Sequence, residues 1–342
     1  EIIDTKKQID TTAVLTPTLL KAIQETVANK KQVILFQNRR GYAPYMICQT
    51  CGWIPHCHHC DVTLTYHKAK NLLSCHYCGA SYPIVQTCEA CGKQEFKQKN
   101  FGTEQIEEKL SKALPNVQIA RMDLDNIKGK NEHDQLIQQF EKRQIDVLVG
   151  TQMVVKGLDF EHVDLVGIVD ADSLLNFNQY RVNERAFQLM EQVSGRAGRK
   201  NEQGKVIIQA TNVKHPVLQM VQQHNYKLLY QTEIESRKQF FYPPYSRVIL
   251  LTLKHKDATR VADAANKLTH LLKQDLSQYI VGPAAPMINR IRNQYLMEIL
   301  IKLPKEQGMS ITYKKIIRNH INLLQSEQGY KSVLVAVNVD PV

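Results

Sequence analysis

The stretch GTQMVVKGLDFEHVDLVGIVDADSLLNFNQYRVNERAFQLMEQVSGRAGR, Gly150 to Arg199, decides how the chain folds. It follows one apolar run, Asp146 to Val149, and contains another, Asp164 to Val169; both read as buried strands of a parallel sheet. A polar turn separates them. A helical period over Val182 to Gln192 then runs into Gln192-Val193-Ser194-Gly195-Arg196-Ala197-Gly198-Arg199. The chemically unusual residues fall at the ends of strands and helices, where open α/β sheets present groups to ligands. Read as a helical end, Arg196 and Arg199 share one face, and their planar forks suit a phosphoryl group carrying charge. For the pair alone, the plainer reading is a solvated basic helix end favoured by the helix dipole.

Outward from this stretch the same alternation continues. Thr16-Pro17 opens a helix, a capping hydroxyl before a proline at the first position, and Leu19, Leu20, Ile23 and Val27 give it an apolar face. Val33 to Phe36 reads as a buried strand. Thr103 is read as the cap of a helix ending at Leu114-Pro115, followed by a strand over Val117 to Arg121. Asp134 to Arg143 is a helix with Leu136, Ile137 and Phe140 on one side, and Val206 to Ala210 is a further strand. Two helical stretches from Pro216 to Phe241 lead to Tyr242-Pro243-Pro244-Tyr245, which no helix crosses. Beyond it come strand Val248 to Lys254, helix Ala258 to Lys273, strands Tyr279 to Ile288 and Tyr295 to Ile301, helix Ile311 to Leu324 and strand Ser332 to Val339. That βαββαβ order fits a small ferredoxin-like α+β layer.

Tyr45 to Lys99 interrupts the alternation and carries all eight cysteines, in four CxxC pairs: Cys48/Cys51, Cys57/Cys60, Cys75/Cys78 and Cys88/Cys91. Disulfides do not demand that spacing. A metal does, because a two-residue knuckle aims two thiolates at one tetrahedral ion. Sequential, crossed and nested pairings are all formally open. The five residues between Cys51 and Cys57 leave little chain for two knuckles to face one ion, whereas the gap from Cys60 to Cys75 is near the usual ribbon span. Nesting is therefore expected: Cys57, Cys60, Cys75 and Cys78 on an inner zinc, Cys48, Cys51, Cys88 and Cys91 on an outer one. Filled Cys₄ shells are structural and leave His56, His58, His59 and His76 no ligand position. Trp53, Tyr66, Tyr77 and Tyr82 cover the knuckles, or else stack on bases or dock a partner.

The 342 residues suffice for two or three cores, and a formal net charge of +11 favours an anionic partner. No run of about 18 apolar residues is present for a membrane span. The first residues resemble no signal peptide, and the absence of an initiator Met points to a piece of a longer, cytoplasmic protein.

Gly150-Thr151-Gln152, Lys156-Gly157-Leu158-Asp159, Asp170-Ala171-Asp172 and QVSGRAGR together resemble motifs V and VI of superfamily-two helicases. With Val33 to Tyr42 as motif IV, the cysteine insert and Asn100-Phe101-Gly102-Thr103-Glu104, the order is similar to that of the PriA family of bacterial replication-restart helicases over nearly the whole chain. Asn178 stands where that family's proline is expected. The resemblance implies four segments: 1–44 and 100–240 as a RecA-like second motor lobe, 45–99 as a two-zinc insert, and 241–342 as an α+β C-terminal domain. It implies a C-terminal part of an ATP-dependent 3′-5′ DNA helicase that recognises stalled or branched forks and directs primosome assembly. ATP and Mg²⁺ would bind with a preceding lobe, because a phosphate-cradling GxxxxGK[ST] loop and an acidic box are missing here; this chain alone is then expected not to hydrolyse ATP. Arg196, Arg199 and Gln192 take the catalytic roles, with Gly157, Asp159 and Gly195 at the nucleotide. Arg39, Arg40 and Thr151 are expected on the DNA backbone. So are Arg290, Arg292, Lys302 and Lys305 of the C-terminal hairpin region, which alternatively take the acidic tail of single-strand DNA-binding protein. The implied partners are branched and single-stranded DNA, that protein and primosome or helicase-loader proteins, near the nucleoid. A non-enzymatic, zinc-containing DNA-binding or primosome-assembly module is the rival reading.

Overall fold

The computed structural model describes residues 1–7, 14–38, 44–67, 70–99, 102–123, 126–127, 129–154, 160–177, 179–198, 204–305 and 309–341. In chain order, β1 (Ile2–Asp4), α1 (Pro17–Ala28) and β2 (Gln32–Phe36) come first. The cysteine segment follows with β3 (Tyr45–Cys48), β4 (Thr65–His67), β5 (Leu72–Ser74), β6 (Ser81–Pro83) and β7 (Phe96–Lys99). Next come α2 (Thr103–Ala113), β8 (Ile119–Met122), α3 (Lys130–Glu141), β9 (Val147–Gly150), β10 (Val163–Ile168), α4 (Asp172–Leu175), α5 (Val182–Ser194) and β11 (Lys205–Ala210). The chain closes with α6 (Pro216–Gln222), α7 (Tyr226–Gln239), β12 (Ser246–His255), α8 (Ala258–Leu276), β13 (Ile280–Ala284), β14 (Arg290–Ile291), β15 (Gln294–Pro304), α9 (Met309–Ser326) and β16 (Leu334–Val339).

Two compact units result: Glu1–Pro44 with Asn100–Glu233, and Tyr45–Lys99 with Ile234–Val342. In the first, the strands run parallel in the order β1-β11-β10-β2-β9-β8 among the described residues. Alternation along β2 shows why both sheet faces are apolar. Val33 and Leu35 pack with Leu19 and Ile23 of α1 and with Ile106 and Leu110 of α2. Ile34 and Phe36 face the other way, into a core with Phe140 of α3 and Phe187, Met190 and Val193 of α5. The Thr16 hydroxyl accepts from the Leu19 N–H at 3.2 Å, capping α1 ahead of Pro17 as the sequence pattern requires.

Two expectations need correction, and one strand was not expected. Thr103 is not a cap: Gly102 holds that position, and the Thr103 hydroxyl donates to the buried Asp123 carboxylate at the end of β8. β1 went unread because three residues are too short to display a period; parallel pairing with β11 makes it an edge strand. The strand expected over Tyr279 to Ile288 stops at Ala284, and β14 resumes at Arg290. Pro286 beyond it lacks the N–H a ladder needs.

In the second unit, the C-terminal strands form an antiparallel sheet in the order β13-β15-β12-β16, with β14 paired to β15. Ile249, Leu251 and Leu253 of β12 and Ile299, Ile301 and Leu303 of β15 share a core with Val261, Leu268 and Leu272 of α8 and Ile317 and Leu324 of α9. The cysteine segment has only a small apolar cluster, around Leu64 and Leu73 and three cysteines. Its stem is the antiparallel pair β3 and β7, and β4, β5 and β6 form a three-stranded sheet.

Candidate metal centres and strand-edge sites

Each CxxC pair begins with the same hydrogen bond. The first cysteine's N–H donates to the carbonyl five residues on: Cys48 to Trp53, Cys57 to Val62, Cys75 to Ala80 and Cys88 to Lys93, at 2.8–3.0 Å. In three of the four, a glycine follows the second cysteine at positive φ: Gly52 at +79°, Gly79 at +82° and Gly92 at +70°. Its N–H returns to the first cysteine's carbonyl at 2.9–3.0 Å. Left-handed backbone is easy only for glycine, so the sequence CxxCG builds the knuckle locally.

The knuckles meet as two sets of four thiols, Cys48 with Cys51, Cys88 and Cys91, and Cys57 with Cys60, Cys75 and Cys78, each within 4.8 Å of one another. The nested pairing is the one observed. Sulfur atoms stand 3.6 Å apart for Cys48–Cys91, Cys51–Cys88 and Cys57–Cys78. A disulfide requires about 2.05 Å. A tetrahedron with zinc–sulfur bonds of about 2.3 Å has edges of about 3.8 Å, so the donor set fits zinc. Burial raises the Cys57 thiol, but the Tyr82 hydroxyl and the His59 N–H, each at 3.4 Å, outweigh it and hold Cys57 at about 6. Burial pushes Cys75 of the same set up to about 12. Four such thiols ionise together only around a cation. Full thiolate shells make both centres structural, and neither set includes a histidine.

The ring contacts favour the plainer role for most aromatics. Trp53 meets Phe96 edge-on at 6.4 Å, the Tyr82 ring packs against His58 at 4.9 Å, and Tyr66 joins the small core. Tyr77 remains 46% exposed.

In the parallel unit, polar residues collect at the carboxyl ends of the strands. The buried Asn38 after β2 donates to the Ser173 carbonyl at 3.0 Å. Buried Thr151 follows β9, and its N–H reaches the Met122 carbonyl at 3.3 Å. Gly150 is obligatory there, since a Cβ would lie 2.1 Å from Val154 and 2.8 Å from the Met122 oxygen. After β10, Asp172 accepts the N–H groups of Thr211 and Asn212, at 2.6 and 3.2 Å, tying this strand end to that of β11. Asp170 accepts from the Ser173 N–H at 3.2 Å, yet burial raises its carboxyl to about 6.

Arg196 lies elsewhere. α5 ends at Ser194 with Gly195 as its cap, so the arginine falls in the following turn and not on a helical face, because two closely spaced glycines end the helix early. The turn is held by the Gly198 N–H on the Val163 carbonyl at 2.9 Å, at the beginning of β10. Since all strands run parallel, the Arg196 turn and Thr151 lie at opposite ends of the strands, the first at their amino ends and the second at their carboxyl ends. Arg196 is buried, whereas Gln192 on the last turn of α5 and Gly195 are exposed. Arg39, Arg40, Gly157, Asp159 and Arg199 lie outside the described residues, as does Asn178.

In the C-terminal layer, Arg290 pairs with Asp61 at 3.0 Å and Arg292 Nε donates to the Tyr77 carbonyl at 3.2 Å. Lys302 donates to the Phe240 carbonyl at 2.7 Å and lies 3.7 Å from the Tyr242 ring centre, with burial lowering its pKa. Lys305 is exposed. Sequence reasoning missed Asp61. The available signal was that three of the CxxC pairs precede glycine and this one precedes aspartate.

Comparison with known proteins agrees with this anatomy. The family described as "Primosomal protein N C-terminal domain" matches residues 238–342, "PriA DNA helicase Cys-rich region (CRR) domain" residues 57–83, and "Helicase conserved C-terminal domain" residues 85–201. Residues 57–83 enclose the inner cysteine set and leave the outer four flanking it. The chain is 38% identical over 325 residues to the replication restart protein PriA of Bacillus subtilis, covering 94% of this chain and 40% of that protein. It is 38% identical to the PriA of Synechocystis (95% and 39% covered) and 34% identical to that of Treponema pallidum (100% and 51%). The chain thus spans about two-fifths to one-half of the length of these relatives.

Proposed function

We propose, given that this chain belongs to the PriA family of replication restart proteins, that it forms the C-terminal part of an ATP-dependent 3′-5′ DNA helicase acting at stalled or branched forks in the cytoplasm. Residues 1–44 and 100–240 are the second motor lobe, 45–99 the zinc insert and 241–342 the C-terminal domain. The observation that carries this reading is the division of polar groups between the two ends of the strands of one parallel sheet. Arg196, with Gln192 and Gly195, serves the nucleotide end, a role that Arg199, Gly157 and Asp159 share by the family pattern. Thr151, with Arg39 and Arg40, serves the DNA backbone. ATP with Mg²⁺ would bind on a preceding lobe that supplies the phosphate loop, and the arginines would neutralise charge developing there when the lobes close. The sheet is then the rigid link between hydrolysis and movement. Lys305 and the exposed part of Arg292 add phosphate contacts in the C-terminal layer, whereas Arg290 and Lys302 serve packing first.

The test is Arg196→Ala in the full-length helicase. DNA-stimulated ATP hydrolysis should fall about 10³-fold with fork binding retained; unchanged hydrolysis would refute the assignment. The lack of a GxxxxGK[ST] loop favours a second behaviour for this chain by itself, that of a DNA-binding and primosome-assembly module without ATPase. Fork binding without hydrolysis, with unwinding restored when the N-terminal half is added, is the expected result.

A further inference from the structure

The Cys57–Cys60 knuckle differs from the other three. Asp61 occupies the glycine position, and its N–H does not return to the first cysteine; it donates to the Arg290 carbonyl at 2.9 Å. The Arg292 N–H, 232 residues distant in sequence, donates to Cys60 Sγ at 3.3 Å. The Asn293 N–H donates to the His59 carbonyl at 2.8 Å, and the Asn293 amide meets His59 Nδ1 at 2.9 Å. Two side-chain contacts reinforce these: Arg290 on the Asp61 carboxylate and Arg292 on the Tyr77 carbonyl. Ile291 packs against the small apolar cluster that includes Cys57, Cys60 and Cys75.

The turn making these contacts is itself unusual. Arg292 and Asn293 both have positive φ, +53° and +59°. A two-residue hairpin of this kind normally selects Asn-Gly or Asp-Gly, and left-handed backbone is unfavourable for arginine. The strained conformation turns two successive N–H groups toward the knuckle, one onto a ligand sulfur and one onto the main chain beside it. A donor on a thiolate offsets the negative charge that four thiolates leave on a zinc site, and such outer contacts tune metal affinity.

We infer that the Arg290–Asn293 hairpin completes the inner zinc knuckle from the C-terminal layer: it accepts the Asp61 N–H and donates the Arg292 N–H to Cys60 Sγ, at the one knuckle that lacks the glycine closure of the other three. The hairpin conformation and zinc occupancy of the Cys57/Cys60/Cys75/Cys78 site are then thermodynamically linked. Loss of that zinc frees the hairpin, and loss of the hairpin loosens that zinc. The outer centre, whose two knuckles both end in glycine, is independent of it.

The test compares the zinc-loaded full chain with its Arg290→Ala/Asn293→Ala variant during metal transfer to a chromogenic chelator, with the freed cysteines alkylated and located by mass spectrometry. One of the two zincs should leave at least about ten-fold faster, with alkylation at Cys57, Cys60, Cys75 and Cys78, and the other at the unaltered rate. Release of both at the unaltered rate, or equal acceleration of both, would overturn the inference. Adding Asp61→Gly should return the inner zinc toward its original release rate, since the knuckle regains a local closure; no recovery counts against the proposal. The unmutated chain provides an arm free of folding defects. Trypsin should cut after Arg290 and Arg292 slowly when zinc is bound and several-fold faster after chelation, and a rate indifferent to zinc would also overturn it.

Discussion

Asp170 is the residue whose environment most clearly opposes its charge. Burial outweighs the Ser173 N–H and, aided by the neighbouring Asp172, lifts its carboxyl from 3.8 to about 6. Between those values the folded chain binds a proton that the unfolded chain has released. Stability therefore declines as pH rises from about 4 to about 6 and stays reduced above it. Asp170→Asn removes the charge while keeping an acceptor for Ser173. It should stabilise the chain at pH 7.5 by about 1–2 kcal/mol, allowing for partial solvent screening, and by about half as much at pH 5. Urea midpoints at the two pH values measure the difference; equal gains at both would contradict the burial argument. Arg196 teaches the converse lesson. Its chemistry was legible from QVSGRAGR, but its place in a turn beyond α5 was not, because glycine's weak helix propensity acts together with the bond from Gly198 to Val163.

At the scale of elements, the knuckle is the unit that sequence specifies most tightly. CxxCG encodes both ligands and the left-handed closure, so three of the four knuckles are local structures. The nested pairing then rests on chain length between them. Removing one thiol should eliminate one ion and spare the other. Cys57→Ser should lower the zinc content from about two per chain to about one, and Cys48→Ser should do the same, with loss of the Cys57-containing or Cys48-containing set respectively. A retained stoichiometry in either variant would contradict the pairing. Helices and strands of the parallel lobe were legible for a related reason: apolar runs such as Val33 to Phe36 reflect a sheet packed on both faces. Element ends were less legible. Thr103 looks like a cap, yet its hydroxyl is drawn to Asp123, just past the end of β8.

For the whole molecule, the decisive feature is that the two compact units are each discontinuous in sequence. The parallel unit has two large apolar clusters and contains none of the eight cysteines. The cysteine segment has a small cluster that includes three of its own ligands. Chelation at neutral pH should therefore expose residues 45–99 to protease while the parallel unit retains its secondary structure. Zinc-dependent proteolysis with a nearly unchanged far-ultraviolet helical signal is the expected outcome. Collapse of the α/β signal along with the metal would show that the lobe depends on the insert. No described helix is long and apolar enough to cross a membrane. The net charge of +11 is consistent with a polyanionic partner and identifies none by itself.

Local pattern alone determined the α/β lobe, the interruption at Tyr45, the nested zinc ligands and the order of the C-terminal layer. Periodicity, proline and cysteine spacing all act within a few tens of residues. Tertiary structure alone decided the separation of Arg196 and Thr151 to opposite strand ends, the pairing of β1 with β11, and the docking of Arg290 to Asn293 on the inner knuckle. Each depends on which segments, far apart in sequence, become neighbours when strands align and apolar faces close. No short window of residues contains that information, because the free energy that selects it arises from burial between elements and not within them.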